Sequence, residues 1–275
     1  METIVPGVAV NVAPGVTRIT APNPGVMTGP GTNSYLVGER ELVLVDPGPA
    51  IESHIQALID AVGQRLRWIL CTHTHRDHSP AANALKKATG AAIAGRECAQ
   101  DGRQDEEFCP DRMLGDGDGI SVAGVTLRAI HTPGHASNHL CYFFEQRKLL
   151  FTGDHVMQGS TVVISPPDGD MQAYLASLAR LLEIEIAALA PGHGHLISTP
   201  HDEVRRLIAH RLKREEKVLG ALGTTSGTLD DLVVLAYDDV TPKIHHVAKR
   251  SLHAHLLKLA AEGRAREAGD RWSLA

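Results

Sequence analysis

The segment Cys71-Thr72-His73-Thr74-His75-Arg76-Asp77-His78 constrains this chain more than any other feature. It follows an apolar run at residues 68–71 that reads as a buried strand. It precedes a helix start signalled by Ser79 as N-cap and Pro80 at the first helical position, where a missing N–H costs nothing. Side chains alternate along an extended segment, so His73, His75 and Asp77 project to one side while His78 turns away with the chain. Three imidazoles and a carboxylate in so short a stretch exceed what a solvated loop needs. Imidazole and carboxylate together suit Zn²⁺, with Fe and Mn as alternatives.

Composition supports a folded metalloprotein. The chain has 275 residues, 43% hydrophobic and 21% charged, which is enough for one large domain with a small appendage and excludes a disordered or fibrous chain. There are 16 His against 8 Tyr plus Phe, and they cluster, which points to metal binding. No run reaches the roughly 18 consecutive apolar residues of a spanning helix, and residues 1–7 lack the basic and apolar regions of a secretory signal. Cys71, Cys98, Cys109 and Cys141 are scattered with no C-x-x-C pair. The expectation is a cytoplasmic protein with reduced thiols and no membrane partner. Residues 200–275 carry a net charge of +2 and the remainder −7, which argues against a surface coated by nucleic acid.

Short apolar runs alternate with helical stretches up to about residue 195, so the body is α/β. Strands are expected at Leu42–Val45, 68–71, 91–94, 125–130, Leu140–Phe144, 148–151 and 186–190, with helices at 51–62 and 171–182. From His201 the character changes. A charged helix over 203–219 is expected to end near Gly220 and Gly223. A Thr228/Asp231 capping box opens a short helix through Ala236. Another helix follows Pro242 and closes on Gly263, and residues 264–274 read as a hairpin. Helix, helix, hairpin is the order of a winged helix. The expected domains are residues 1–200, catalytic, and 201–275, winged-helix-like.

Further ligand-type residues sit beside glycines just past apolar runs: Pro133-Gly134-His135, Gly153-Asp154, and Pro191-Gly192-His193-Gly194-His195. Strand ends of α/β folds are where functional groups collect, and glycine lets backbone approach a shared centre. With these residues on the page, the chain resembles the metallo-β-lactamase superfamily over about residues 15–200. The family's H-x-H-x-D-H signature stands as His73-x-His75-x-Asp77-His78, and the later motifs occur in family order.

The resemblance implies an αββα sandwich of two mixed sheets flanked by helices. It implies that His73, His75 and His135 hold one metal, that Asp77, His78 and His193 hold a second, and that Asp154 bridges them. Asp46 matches the family's structural aspartate. The implied activity is a dizinc hydrolase whose metal-bridging hydroxide attacks an ester, thioester or phosphodiester, with Asp77 and Asp154 as the catalytic carboxylates. Antibiotic-degrading members commonly have cysteine where Asp154 stands, so β-lactam hydrolysis is not the expected role. Residues 23–28 and 31–38, with the winged helix, look like the lactamase-beta-2-like branch, which includes a single-strand-selective endoribonuclease. Other readings are a glyoxalase II-like thioesterase or lactonase and a mononuclear-iron oxygenase similar to persulfide dioxygenases. The long insert of the β-CASP nucleases is absent, since Asp154 and His193 are 39 positions apart.

Partners follow from these readings: a small-molecule ester or thioester, or single-stranded RNA, with homodimerisation left open. Bland readings are kept for the remaining candidates. His139, His155 and His195 read as structural neighbours of the ligands, and Asn33 and Tyr35 as strand-end core positions. Cys71 reads as a buried thiol and residues 116–119 as a turn. Arg205, Arg206, Arg211, Lys213, Arg214 and Lys217 read as a solvated helix face.

Overall fold

The structure is a computed structural model that describes residues 3–97, 102 and 104–275. Cys98 lies outside the described residues. The chain divides into two compact units: Met1–Thr132, Asn138–Ser160 and Glu185–Pro200 form the first, and Pro133–Ser137, Thr161–Ile184 and His201–Ala275 the second.

The first unit holds two mixed sheets. One runs β1 (Ala9–Ala13), β2 (Val16–Thr20), β3 (Asn33–Gly38), β4 (Leu42–Val45), β5 (Leu66–Leu70), β6 (Ala92–Gly95) and β7 (Arg112–Met113) in spatial order. Its first four strands pair antiparallel and β4 to β7 pair parallel. Helices α1 (Glu52–Val62) and α2 (Ala82–Thr89) supply the crossovers. The other sheet is built from β8 (Gly119–Val122), β9 (Val125–His131), β10 (Leu140–Phe144), β11 (Leu149–Gly153) and β12 (Ala188–Pro191), antiparallel except for the parallel β11–β12 pair.

Period-two alternation explains why both faces of the first sheet are apolar. Val43, Val45 and Leu70 point into a core shared with Leu127, Leu140, Tyr142 and Phe151 of the second sheet. Leu42, Leu44 and Ile69 point the other way, onto Leu58 and Val62 of α1 and Leu85 of α2. The two facing sheets with outer helices agree with the expected sandwich.

The parallel pairs decide where the site forms. Val45 is paired with Leu70, so Asp46 and Thr72 leave neighbouring strands together. Gly153 is paired with Pro191, so Asp154 and His193 do likewise.

The second unit carries α3 (Met171–Leu181), α4 (Pro200–Thr224, from His201 onward), α5 (Leu229–Ala236), α6 (His245–Ala261) and the hairpin β13 (Ala265–Ala268) and β14 (Arg271–Leu274). Its core joins Val218 and Leu222 to Leu232, Leu252, Leu256 and the buried Trp272. The Thr228/Asp231 capping box forms as read. Helix α6 ends in the expected glycine cap: Gly263 has φ 70°, its N–H reaches Ala260 O at 3.0 Å, and Arg264 N–H reaches Leu259 O at 2.8 Å. Among the described residues no helix is long and apolar enough to cross a membrane.

Three local expectations are corrected. Helix α2 starts at Ala82 with Ala81 as N-cap, because the backbone first makes a turn, with His78 N–H donating to His75 O at 2.9 Å. The Ser79 hydroxyl therefore donates to Asp105 instead, at 2.7 Å. Helix α4 runs past Gly220 and Gly223 to Thr224, since Ala221 and Leu222 are buried in the core beneath them. Its charged face is not all solvated: Arg211, Arg214 and Glu215 are buried. They fall at the i, i+3, i+4 positions that continue the stripe of Val204, Leu207, Val218 and Leu222, so packing overrides their polarity. Arg205 and Arg206 do face outward, paired with Asp202 and Glu203.

Glu215 forms an ion pair with Lys258 at 2.8 Å and accepts from Arg264 at 3.3 Å. Burial pushes its carboxyl up, but bonds from His255 and Lys258 outweigh this and hold it near 2 rather than 4.5. A depressed carboxyl stabilises the fold fully above its unfolded value and loses that contribution as pH falls toward the folded value. Glu215→Gln is expected to lower the urea midpoint at pH 7, by about 3 kcal/mol in stability. The gap from the unchanged protein should narrow as pH falls from 5 toward 2, measured as paired urea titrations.

Candidate metal centre

Asp46 organises the first unit's site. It sits at φ 53°, in the left-handed region that Asp tolerates better than most residues, and is buried. Its Oδ1 accepts from Thr72 N–H at 2.7 Å, and its Oδ2 accepts from the Thr72 hydroxyl at 2.9 Å. His78 Nδ1 lies 2.9 Å from the same Oδ2. A carboxylate can only accept, so His78 carries its proton on Nδ1 and presents the Nε2 lone pair. The Thr72 hydroxyl has spent its one proton on Asp46. It therefore accepts from His73 Nδ1, 3.0 Å away, and His73 too presents Nε2 as a lone pair.

His193 is oriented in the same way by a different partner. Its Nδ1 faces Gly31 O at 3.2 Å, and a carbonyl again only accepts. The loop that carries it is clamped from β3. Asn33 Nδ2 donates to Pro191 O and Gly194 O at 3.0 and 2.9 Å, and the Tyr35 hydroxyl donates to Pro191 O at 2.8 Å. Asn33 and Tyr35 are core positions, as read, and they also hold the His193 loop. The sequence carried no signal of this, because the partners are backbone carbonyls more than 150 residues away.

The functional atoms converge. Asp154 Oδ1 is 3.3 Å from Nε2 of both His78 and His193. Asp77 Oδ2 is 3.5 Å from His78 Nε2 and 3.4 Å from His193 Nε2. His73, His78 and Asp154 offer donor atoms all within 4.8 Å of one another, and so do Asp77, His78 and His193. The His75 ring stands edge-on to His73 with centroids 4.6 Å apart. His135 belongs to the second unit, where its Nδ1 lies 2.8 Å from Val163 O, so it likewise presents Nε2.

Gly192 forms the floor of this cluster. A Cβ there would lie 2.8 Å from His78 Cε1 and 2.9 Å from Asp154 Oδ1. Gly153, at φ 45°, passes so close to Thr72 Oγ1 that a Cβ would sit 2.5 Å from it. The two glycines beside ligand-type residues thus serve close backbone approach.

Electrostatics bears on what the cluster binds. Among the described residues Nε2 of His78 and of His193 are buried without a hydrogen-bond partner, and both face carboxylate oxygens. Lone pairs against carboxylates repel unless positive charge intervenes. Burial opposes charge on His78, but Asp77, Asp154 and Asp46 outweigh it and hold the imidazole well above its usual range. For His193, burial is likewise overcome, chiefly by Asp154, and its pKa rises to about 9. Asp77 is held near 2: burial raises it, while the His78 and His193 charges more than compensate. The carboxylates demand cations at these nitrogens, and a divalent metal supplies them in place of protons. The residues fit a metal ion.

The other candidates behave as neighbours. His139 Nδ1 lies 2.9 Å from Thr132 Oγ1 with its ring 5.0 Å from His73, and His155 stands 5.9 Å beyond His139. The Cys71 thiol is buried, and burial pushes its pKa well above the usual thiol range, which suits packing rather than ligation. Asp116 and Gly117 form the expected turn, which leads through Asp118 into β8 at Gly119; Asp118 accepts from Gly115 N–H and Asp116 from His131 N–H, each through its side chain.

Known proteins show the same pattern. Residues 27–193 match the model of the metallo-beta-lactamase superfamily, and 228–272 that of the beta-lactamase associated winged helix domain. The chain is 29% identical to the beta-lactamase-like protein 2 homolog of Drosophila melanogaster, over 92% of both chains. It is 29% identical to an atrochrysone carboxyl ACP thioesterase of Claviceps purpurea, covering 83% of this chain and 74% of that one. Among solved structures, a beta-lactamase domain protein from Burkholderia ambifaria superposes with a TM-score of 0.83 at 21% identity, over 99% of this chain and 95% of that one.

Replacing Asp46 by Asn tests the tautomer argument. The amide can donate where the carboxylate only accepts, which lets His78 turn its proton toward the centre. Asp46→Asn is expected to weaken metal binding roughly 10- to 100-fold, measured by competition with a chromophoric chelator, while the circular dichroism spectrum stays unchanged.

Proposed function

The chain belongs to the metallo-β-lactamase superfamily, and on that premise we propose that it is a dizinc hydrolase acting on a carboxylic thioester or ester. One observation carries the proposal: imidazole nitrogens fixed as lone-pair donors face two carboxylates around a common centre. On the family's pattern His73, His75 and His135 would hold one zinc and Asp77, His78 and His193 the other, with Asp154 serving both. Zinc bound there lowers the pKa of water to about 7 and polarises a scissile carbonyl.

The chain's own residues supply the rest. Asp46, Thr72 and Gly31 keep the imidazoles in the ligating tautomer, so no proton must be shed from Nε2 when substrate arrives. Asp77 engages His78 and His193 through Oδ2, leaving Oδ1 to accept a proton from the attacking water. Its side chain is 28% exposed, against 12% for Asp154, so Asp77 is the carboxylate that solvent and substrate reach.

Two observations favour an acyl substrate. The second unit contains a cavity of about 520 Å³ whose lining includes Pro133, Gly134, Pro167, Met171, Leu257 and Lys258. Apolar residues stand there among Ser137, Asp168, Asp170, Gln172 and Lys258, a mixed lining suited to the partly polar non-reacting arm of an acyl compound, and Pro133 and Gly134 immediately precede His135. The Claviceps relative named as a thioesterase acts on the same class of bond. RNA is less well served, because three lysines of the second unit are paired with carboxylates inside it. Lys249 pairs with Asp230, Lys258 with Glu215 and Glu262, and Lys217 with Asp238 and Asp239.

Elemental analysis beside a panel of acyl thioesters, lactones and single-stranded RNA tests the proposal. About two zinc ions per chain with thioester or ester turnover is the expected result. Asp154→Ala should reduce kcat at least about a hundredfold and lower metal occupancy. One iron per chain with oxygen uptake, or full activity in metal-free protein, would replace this reading.

A further inference from the structure

Arg211 is a buried cation, 3% exposed, that makes no ion pair among the described residues. Burying an arginine without a carboxylate is costly and calls for a reason. Its guanidinium makes two contacts within the second unit. Nη2 donates to Val162 O, and the plane lies over the Tyr174 ring at 5.3 Å from its centroid.

Both contacts lead to His135. Val162 precedes Val163, whose carbonyl lies 2.8 Å from His135 Nδ1. On the other side of Val163, Ile164 N–H donates to the Ser251 hydroxyl of α6 at 3.3 Å. The carbonyl that fixes the His135 ring is thus held between Arg211 of α4 and Ser251 of α6. Tyr174 supports the chain on which His135 sits. Gly134 lies against it so tightly that a Cβ would come within 2.4 Å of Tyr174 Cα, and Asp170 N–H donates to Gly134 O at 2.8 Å. The Ser177 hydroxyl donates to Pro133 O at 2.8 Å.

We propose that Arg211 and Ser251 are positioning residues for His135, holding the Val162–Ile164 backbone so that Val163 O engages Nδ1 and leaves Nε2 as the nitrogen that would ligate metal. This rests on the reading of His135 as a metal ligand. It gives the helices after residue 200 a role in orienting His135, reached through hydrogen bonds rather than through a ligand of their own. Arg214 provides an internal control. It is also buried on α4 and stacked on an aromatic ring, at 4.1 Å from Tyr237, but it bonds Ala236 O and Asp239 and does not reach the 162–164 segment.

The test measures metal affinity by chelator competition and the visible spectrum of the cobalt-substituted protein for Arg211→Met, Ser251→Ala, Arg214→Met and His135→Ala. Arg211→Met and Ser251→Ala should each weaken one of two metal equivalents, by roughly tenfold or more, and shift the cobalt spectrum in the direction that His135→Ala does. Arg211→Lys, which keeps a donor for Val162 O, should recover part of the loss. Arg214→Met should leave both affinities unchanged. Should Arg211→Met fail to fold, Ser251→Ala decides alone, since it removes one hydroxyl. If His135→Ala loses metal while Arg211→Met and Ser251→Ala bind as the unchanged protein does, the proposal is overturned. An equal loss from Arg214→Met overturns it as well, as general destabilisation. If His135→Ala itself loses no metal, the ligand assignment fails instead.

Discussion

The Asp46 carboxylate takes hydrogen bonds from a backbone amide, a hydroxyl and an imidazole at once, from within the interior and at a left-handed backbone angle. Each bond fixes something different. The Thr72 amide ties the end of β5 to the end of β4, the Thr72 hydroxyl is forced to accept from His73, and His78 is fixed with its proton on Nδ1. One acceptor-only group thereby sets two imidazole tautomers and the register of two loops. Neutralising or rotating it would disturb all three, which is why strain at Asp46 is tolerated.

Lone pairs that converge on carboxylates are unstable company in a buried setting. The raised pKa values of His78 and His193 express the demand of Asp77, Asp154 and Asp46 for positive charge. A divalent cation would meet that demand while releasing protons, which would couple metal binding to the integrity of this part of the fold. The same logic of a fixed Nδ1 recurs at His193 on Gly31 O and at His135 on Val163 O, with backbone carbonyls in place of a carboxylate.

Much of this was legible in the residues. The His73 to His78 run, the glycines beside Asp154 and His193, and the alternating apolar strands predicted the cluster and an α/β body, because ligand chemistry and side-chain periodicity are local properties; the sandwich followed from the family resemblance that those residues carry. The capping box at Thr228 and the glycine cap at Gly263 were legible for the same reason. Helix α4 was misread where locality fails: Arg211, Arg214 and Glu215 look solvated in composition, yet their spacing continues an apolar stripe. Gly220 and Gly223 look like a helix end until the core beneath Ala221 and Leu222 is seen. The start of α2 was misplaced because the turn from His75 to His78 takes precedence over the Ser79 cap.

By itself the sequence determined which metal-ligand residue types cluster, which strands bury both faces, and the order of helix, helix and hairpin in the winged helix. Those follow from residue type and from repeats of two and 3.6 residues. The tertiary structure alone decided which nitrogen of each imidazole carries the proton, that Asn33 and Tyr35 clamp the His193 loop, and that Arg211 reaches Val162 O. These depend on hydrogen bonds to backbone carbonyls distant in the chain, and every residue offers the same carbonyl whatever its side chain.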